Sequence, residues 1–308
     1  MSLLRNLETH GHVLEALYHI NEGDMHLQLG RYIYASRALA DALNKLQSEW
    51  FFARKKPDGE MGAFREMLVD AISPHDRHAI ASSSQVDLLA NLEPTIQSHK
   101  ALLSGGYRPG VPITPQLKRD SERDHTRLRQ SIAEYRLGPT IDDLANTAIK
   151  RIADLLYVVR SNVAHGEKTP HGPDHGKKAR DAIVCRTIVP VQRLLLENLL
   201  EYPAKKLVTY GSLAPEGSNY GVVADITGSW GDVRIRGTVT HTTQGLANFQ
   251  WSEEQGDIPA KLLTSDLLPE NWQRIDDFEG ALYARRLILA RQPNVMLVAN
   301  AYVGTAIE

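Results

Sequence analysis

The sequence predicts an α+β chain in two parts, an all-helical bundle over residues 1–205 followed by a small mixed β-barrel over 206–308. Three observations carry that expectation. Through the N-terminal part, apolar residues recur at three- and four-residue spacing, the period of an amphipathic helix. At Tyr202-Pro203 the pattern shifts to short alternating runs broken by glycine, the period of a strand. A length of 308 residues is enough for about two domains, and 42% hydrophobic against 23% charged residues lets each bury a core.

Taken in order, 13–20 and 32–52 carry the helical spacing, with Gly23 and Gly30 as breaks. Trp50, Phe51 and Phe52 form an aromatic cluster expected in the core or at a dimer seam rather than against a base. A further helix is expected over 64–72, and Ser82 to Ser84 cap a run through Leu88, Leu89, Leu92 and Ile96. The glycine- and proline-rich stretch 104–115 reads as a connection between helices in preference to a hinge. The mixed-sign run 118–130 reads as a solvated helix face laced with ion pairs rather than a nucleic-acid patch. Pro139 and Thr140 then open a long amphipathic helix. Thr140 and Asp143 make a capping-box pattern, and Ile141, Leu144, Ala148, Ile152, Leu156 and Val159 keep helical register. A last helix over 177–200 contains Pro190, a position for a kink.

In the second part, 207–212 is a short β-type run, and 221–240 alternates with Gly228 and Gly231 as turn points. A short helix is expected over 266–278. The runs 283–290 and 295–301 flank Gln292-Pro293-Asn294 as a hairpin.

Composition narrows the classes. No apolar run approaches the roughly 20 residues of a membrane span, and the first residues lack a signal peptide's hydrophobic stretch, so a cytoplasmic chain without membrane contact is expected. The single cysteine, Cys185, lies among apolar neighbours and reads as core, with no disulfide framework. From Leu207 onward there are 7 Lys and Arg against 12 Asp and Glu, a balance of −5, and the rest holds 28 against 25, a balance of +3. The helical part is therefore the better partner for a polyanion, through a local patch.

Near the end of the long helix stand Arg160, Ser161, Asn162 and, five residues past the arginine, His165-Gly166. On a continuing helix His165 would lie about 140° round from Arg160. Gly166 and the polar run after it stop the helix and let the histidine turn back. An arginine, a polar residue, three more residues and His-Gly resemble the signature of the HEPN superfamily of helical nucleases. The resemblance implies metal-independent RNA cleavage at a composite site built by two such helices across a homodimer. An imidazole suits proton transfer at a ribose 2′-hydroxyl, and a guanidinium suits the charge that builds on phosphorus. His165 would be the acid or base, Arg160 would stabilise the phosphorane, and Asn162 would orient the phosphate or the histidine. The plainer reading is an arginine paired with an acid and a C-terminal histidine favoured by the helix dipole. The same spacing recurs in Arg5 to Gly11, where no long apolar helix leads in. His165, His171, Asp174 and His175 read as a mobile rim over this site. Zinc is the lesser reading, because no cysteine joins them and no helix places two of the histidines on one face. No metal or other cofactor is expected.

A second resemblance lies in the barrel part. Thr209-Tyr210-Gly211-Ser212-Leu213-Ala214-Pro215 is similar to the loop that opens the gamma-glutamylcyclotransferase-like family. Leu268-Pro269-Glu270-Asn271-Trp272, with Ile275 to Gly280 and Tyr283, is similar to that family's glutamate motif. This resemblance spans nearly all of 207–304. It implies that the backbone N–H groups of Tyr210, Gly211, Ser212 and Leu213 hold a γ-glutamyl group while Glu279 shuttles a proton, releasing 5-oxoproline. Gly211 would let the ligand approach the backbone closely. An apolar pocket, with Phe278 and Tyr283 as walls, would raise the Glu279 pKa toward neutrality. Family members often carry a basic residue and a glycine after the loop, where this chain reads Ala214-Pro215-Glu216-Gly217-Ser218, which leaves the substrate class open. A barrel that only binds, with Glu279 as an inherited acid, is the alternative.

The first functional expectation is a HEPN-type endoribonuclease, a toxin or antiviral defence effector, with RNA as partner and a cyclotransferase-like domain that senses a small molecule. The second is a cyclotransferase whose helical half serves dimerisation. The third is a non-catalytic subunit of a defence complex with a partner chain.

Overall fold

The computed structural model describes residues 3–4, 11–54, 60–92, 115–164, 175–241 and 247–305. The chain divides into two compact units, one over Tyr18–Leu199 and one that joins Ser2–Leu17 to Leu200–Glu308. The architecture is α+β, a helical N-terminal region followed by a closed mixed barrel.

Eight α-helices precede the barrel among the described residues: α1 (Gly11–Gln28), α2 (Tyr32–Arg54), α3 (Glu60–Ala71), α4 (Pro74–Ala81), α5 (Ser84–Ala90), α6 (Pro115–Leu137), α7 (Asp142–Ala164) and α8 (His175–Leu199). Four other helices, α2, α3, α4 and α6, pack against α7. Its Ala145, Ala148, Ile149, Ile152, Leu156 and Val159 are all buried, so packing of this wide apolar face, more than intrinsic propensity, holds the helix. Its first backbone bonds run from Leu144 and Ala145 to the Ile141 carbonyl, one residue past the Thr140 cap suggested by the sequence. Asp142 and Asp143 in the first turn complement the helix dipole. Polar ties then fix neighbours: Arg65 of α3 pairs with Asp154 of α7, Trp50 Nε1 donates to Asp70 at 2.8 Å, and Gln192 Nε2 donates to the Ser36 carbonyl at 3.1 Å.

Several local expectations change. Gly23 lies inside α1, where a Cβ would meet Leu39 at 3.0 Å, so it serves close approach to α2 rather than a break. Gly30, at φ 66°, does end the helix. The short α4 was not anticipated; Ser73 caps it by accepting the Asp76 N–H at 3.1 Å, with Pro74 in its first turn. Trp50 is buried whereas Phe51 is exposed. The charged run lies on α6 with exposed Asp120–Arg123 and Asp124–Arg127 pairs, while Leu128, Ile132 and Tyr135 face the core. Cys185 is buried in α8, which runs through Pro190. The expected connection over 104–114 and Ile96 lie outside the described residues.

The second unit has strands β1 (Lys206–Thr209), β2 (Ser229–His241), β3 (Ala247–Trp251), β4 (Asp257–Thr264), β5 (Tyr283–Gln292) and β6 (Val295–Gly304), with helix α9 (Leu268–Glu279) between β4 and β5. The order β2-β4-β1-β6-β5 closes through Arg234↔Arg291 and Ile235↔Ala290, giving a five-stranded barrel, and β3 pairs with the far half of β2. All pairings are antiparallel except β1 with β6. Val208, Val233, Phe249, Leu262, Ile288 and Ala299 fill the barrel. Leu207, Leu263, Trp272, Ile275 and Tyr302 form a second core that includes one face of α9. Alternate residues of β1 and β4 thus enter different cores, as a period of two requires.

Gly231 is no turn. It sits inside β2 opposite Leu262, and the strand begins at Ser229, after a 3-10 turn over Tyr220–Val222. The hairpin expected around Pro293 forms with Gln292 opposite Val295. Strands β3 and β4 were not anticipated. No helix among the described residues is long and apolar enough to cross a membrane.

Where β2 leaves β4 for β3, Gly237 adopts φ 152°, and a Cβ there would sit 2.2 Å from the Gln250 carbonyl and 2.5 Å from the Phe249 ring. Gly237→Ala is expected to destabilise the barrel by about 2–4 kcal/mol, through backbone strain and overpacking together. Urea unfolding followed by tryptophan fluorescence measures it.

Candidate functional site

The site forms where β1 ends. The chain leaves the strand at Tyr210 and folds back on itself: Ala214 donates to the Gly211 carbonyl at 3.0 Å, Gly217 to Ala214 at 2.8 Å and Asn219 to Ser212 at 2.9 Å. Asn219 Nδ2 also donates to Ser212 Oγ at 3.0 Å. Gly217 is required there, because a Cβ would stand 2.3 Å from the Ser212 carbonyl. Buried Leu213 anchors the loop. Gly211 differs, since a Cβ there would meet no atom within 4 Å and its φ is not positive. Protein packing therefore does not call for glycine at 211. Nor do the N–H groups of Gly211, Ser212 and Leu213 meet an acceptor among the described residues, which leaves three successive donors in the loop.

Across from the loop lies the end of α9. Leu268, Trp272 and Ile275 recur at helical spacing and are buried, so they set the helix's rotation. Trp272 Nε1 donates to the Ala204 carbonyl at 2.9 Å. One turn on, Asp276 accepts from Arg285 Nε at 2.9 Å and Nη2 at 3.1 Å, and from the Tyr302 phenol at 2.6 Å. The Arg285 guanidinium lies 4.5 Å over the Trp272 ring. Gly280, at φ 63°, then ends the helix and leaves Glu279 at its last residue.

Loop and helix end bound a cleft of about 540 Å³, lined among others by Tyr210, Gly211, Ser212, Leu213, Asn219, Phe278, Glu279, Leu282, Tyr283 and Tyr302. That volume suits a small molecule. Glu279 is its one acidic or basic residue among the described residues. Burial without a compensating cation pushes its carboxyl up to about 7 from an ordinary 4.5. The C-terminal end of the helix dipole acts in the same direction.

The phenols around it are committed. Tyr210 donates to the Tyr302 carbonyl at 2.7 Å and lies against Phe249, with ring centroids 4.9 Å apart. Tyr283 donates to the Ala247 carbonyl at 2.7 Å. Burial first, and then the charge of Glu279, raise the Tyr210 phenol. For Tyr302 burial comes first and the bond to Asp276 second. These rings stay protonated at neutral pH and act as scaffold, which leaves Glu279 as the cleft's proton-exchanging group.

Six residues singled out from the sequence, Tyr210, Gly211, Ser212, Leu213, Glu279 and Tyr283, thus line one cleft, together with Phe278. Asn219, Leu282 and Tyr302 were missed. Asn219 falls in a Gly/Ser-rich stretch that reads as a plain turn. Tyr302 ends a β6 run buried on both faces, where alternation gives no facing. In the helical unit Arg160 sits half-buried in the last turns of α7, with its guanidinium 5.6 Å over the Tyr157 ring. Asn162 is two residues further along α7; its side chain, His165, His171, Asp174 and the His175 side chain lie outside the described residues. Among the described residues no group of three or more His, Cys, Asp or Glu is placed to hold a metal. Comparison of the chain with protein-family models, with curated proteins and with solved structures returned no match.

The raised Glu279 pKa has a signed consequence for stability. Below about pH 4.5 the folded and unfolded states both hold the proton. Between 4.5 and 7 only the folded state keeps it, so stability falls as pH rises through that window, and above 7 the cost is complete. Glu279→Gln is expected to be more stable than wild type by about 1–3 kcal/mol at pH 8 and indistinguishable at pH 4. Denaturant titrations at the two pH values check this.

Proposed function

We propose that the barrel unit is an enzyme of the gamma-glutamylcyclotransferase type, which releases 5-oxoproline from γ-glutamyl compounds. The observation that supports it best is Glu279, a carboxyl poised near neutrality in a small-molecule cleft, facing a loop with three unclaimed backbone donors. In the proposed reaction the substrate's α-amine attacks its own γ-carbonyl. A C–N bond forms to close the five-membered lactam, and the original γ-amide C–N bond breaks. The Glu279 carboxylate takes a proton from the attacking nitrogen and delivers it to the departing one, so the products are 5-oxoproline and the free amine, with no water consumed. The donors of Gly211, Ser212 and Leu213 would polarise the γ-carbonyl and carry the negative charge that develops on its oxygen. Open space at Gly211 lets a ligand reach the backbone, where a side chain would stand in the way.

Glu279→Gln keeps size and removes the proton carrier. It is expected to lower 5-oxoproline release by about 10²–10⁴-fold in kcat, with KM little changed, measured by chromatographic detection of 5-oxoproline. Wild-type activity should rise with pH through about 7 as Glu279 ionises. Equal rates for the two proteins would remove the proposal.

A second reading concerns the helical unit. The long α7, which carries Arg160 in its last turns, supports a metal-independent endoribonuclease of HEPN type, acting as a dimer with Arg160, Asn162 and His165 at the site. Wild-type chain should then cut a mixed RNA pool in the presence of EDTA, and His165→Ala should abolish cutting. Undiminished cleavage by that variant would remove this reading. Fused to such a nuclease, the barrel would sense or process a small molecule in a toxin or defence setting.

A further inference from the structure

The apolar mouth of the Glu279 cleft points to the part of the ligand that the loop does not reach. Phe278 and Leu282 bracket Glu279 in sequence, and the chain turns between them at Gly280. Both line the cleft, yet each remains 44% exposed. Scattered apolar side chains on a surface are ordinary. Two large ones beside a single acid, at the open end of a small-molecule cleft, are instead a surface for an apolar group to cover. Tyr283 lines the same cleft.

The charge pattern selects the chemistry of that group. The described lining contains no lysine or arginine to answer an anion. Arg285, which pairs with α9, is already bound to Asp276 by two hydrogen bonds. The lining acid is Glu279, and exposed Asp277 adjoins Phe278. A carboxylate placed at this mouth would lose water and meet like charge. An uncharged ring would lose only ordered water and gain contact with Phe278 and Leu282.

We infer that the leaving portion of the substrate is an uncharged, apolar amine, preferentially aromatic, seated on Phe278 and Leu282, and that free amino acids are poor leaving groups in this cleft. This rests on the cyclotransferase reading of Glu279 and specifies its substrate class.

The test compares γ-glutamylanilide with γ-glutamylglycine on the full chain and on a Phe278→Ser/Leu282→Ser variant whose fold is checked by circular dichroism. Wild type should favour the anilide by about tenfold or more in kcat/KM, chiefly through KM, and the double substitution should reduce that preference to a few-fold. Equal or better use of γ-glutamylglycine by wild type, or an unchanged preference in the variant, would overturn the inference while the cyclotransferase reading stood. If neither compound yields 5-oxoproline, the cyclotransferase reading fails and the inference falls with it. Should the variant not fold, Phe278→Leu, which keeps the mouth apolar but removes the ring, is expected to lower the anilide preference by about threefold or more, and no change would count against the aromatic seat.

Discussion

The bond between Asp276 and Arg285 sets the position of everything that follows it in α9. Held by a two-pronged guanidinium and the Tyr302 phenol, the carboxylate fixes the last turn of the helix against β5 and β6. Three residues later on neighbouring helix surface stands Glu279. The two acids share a helix but not an environment: one has its charge answered in full, the other is half-buried with none among the described residues. That contrast, made by where Arg285 comes up on β5, separates a structural acid from one able to trade a proton near pH 7. Breaking a partly buried pair by removing one partner costs far more than the pair contributes, so Asp276 and Arg285 are coupled to the site without touching its contents.

The opposite side of the cleft obeys a different constraint. The Tyr210 to Asn219 loop folds around its own backbone, and Gly217 makes that possible by yielding space to the Ser212 carbonyl. With the loop closed in this way, the N–H groups of Gly211, Ser212 and Leu213 meet no acceptor among the described residues. The loop and the helix end thus meet across a gap, each held by its own hydrogen bonds.

Much of this could be read from the residues. The loop and the glutamate stretch are local patterns, and local patterns survive folding: Tyr210, Gly211, Ser212, Leu213, Glu279 and Tyr283 reach one cleft although they are some seventy residues apart in the chain. The long helices were legible because α7 and α8 bury wide apolar faces. Strand β4 was not, since Pro259 interrupts it, and Leu262 and Leu263 are buried on opposite faces, so alternation is lost. Gly23 and Gly231 misled for different reasons: Gly23 admits Leu39 of the neighbouring helix, whereas Gly231 is an ordinary ladder position opposite Leu262, and only the neighbours tell a break from either. For Arg160, the sequence supplies the helix, while His165 lies outside the described residues.

The parallel pairing of β1 with β6 carries a consequence for the cleft. The strand that opens the barrel is flanked by β6, which follows the other strands in the chain, and β5 closes the ring on β2. Tyr302, whose phenol steadies Asp276 and whose carbonyl receives Tyr210, arrives on that same strand. Strand β6 thus ties the two sides of the cleft together through contacts between residues far apart in the chain.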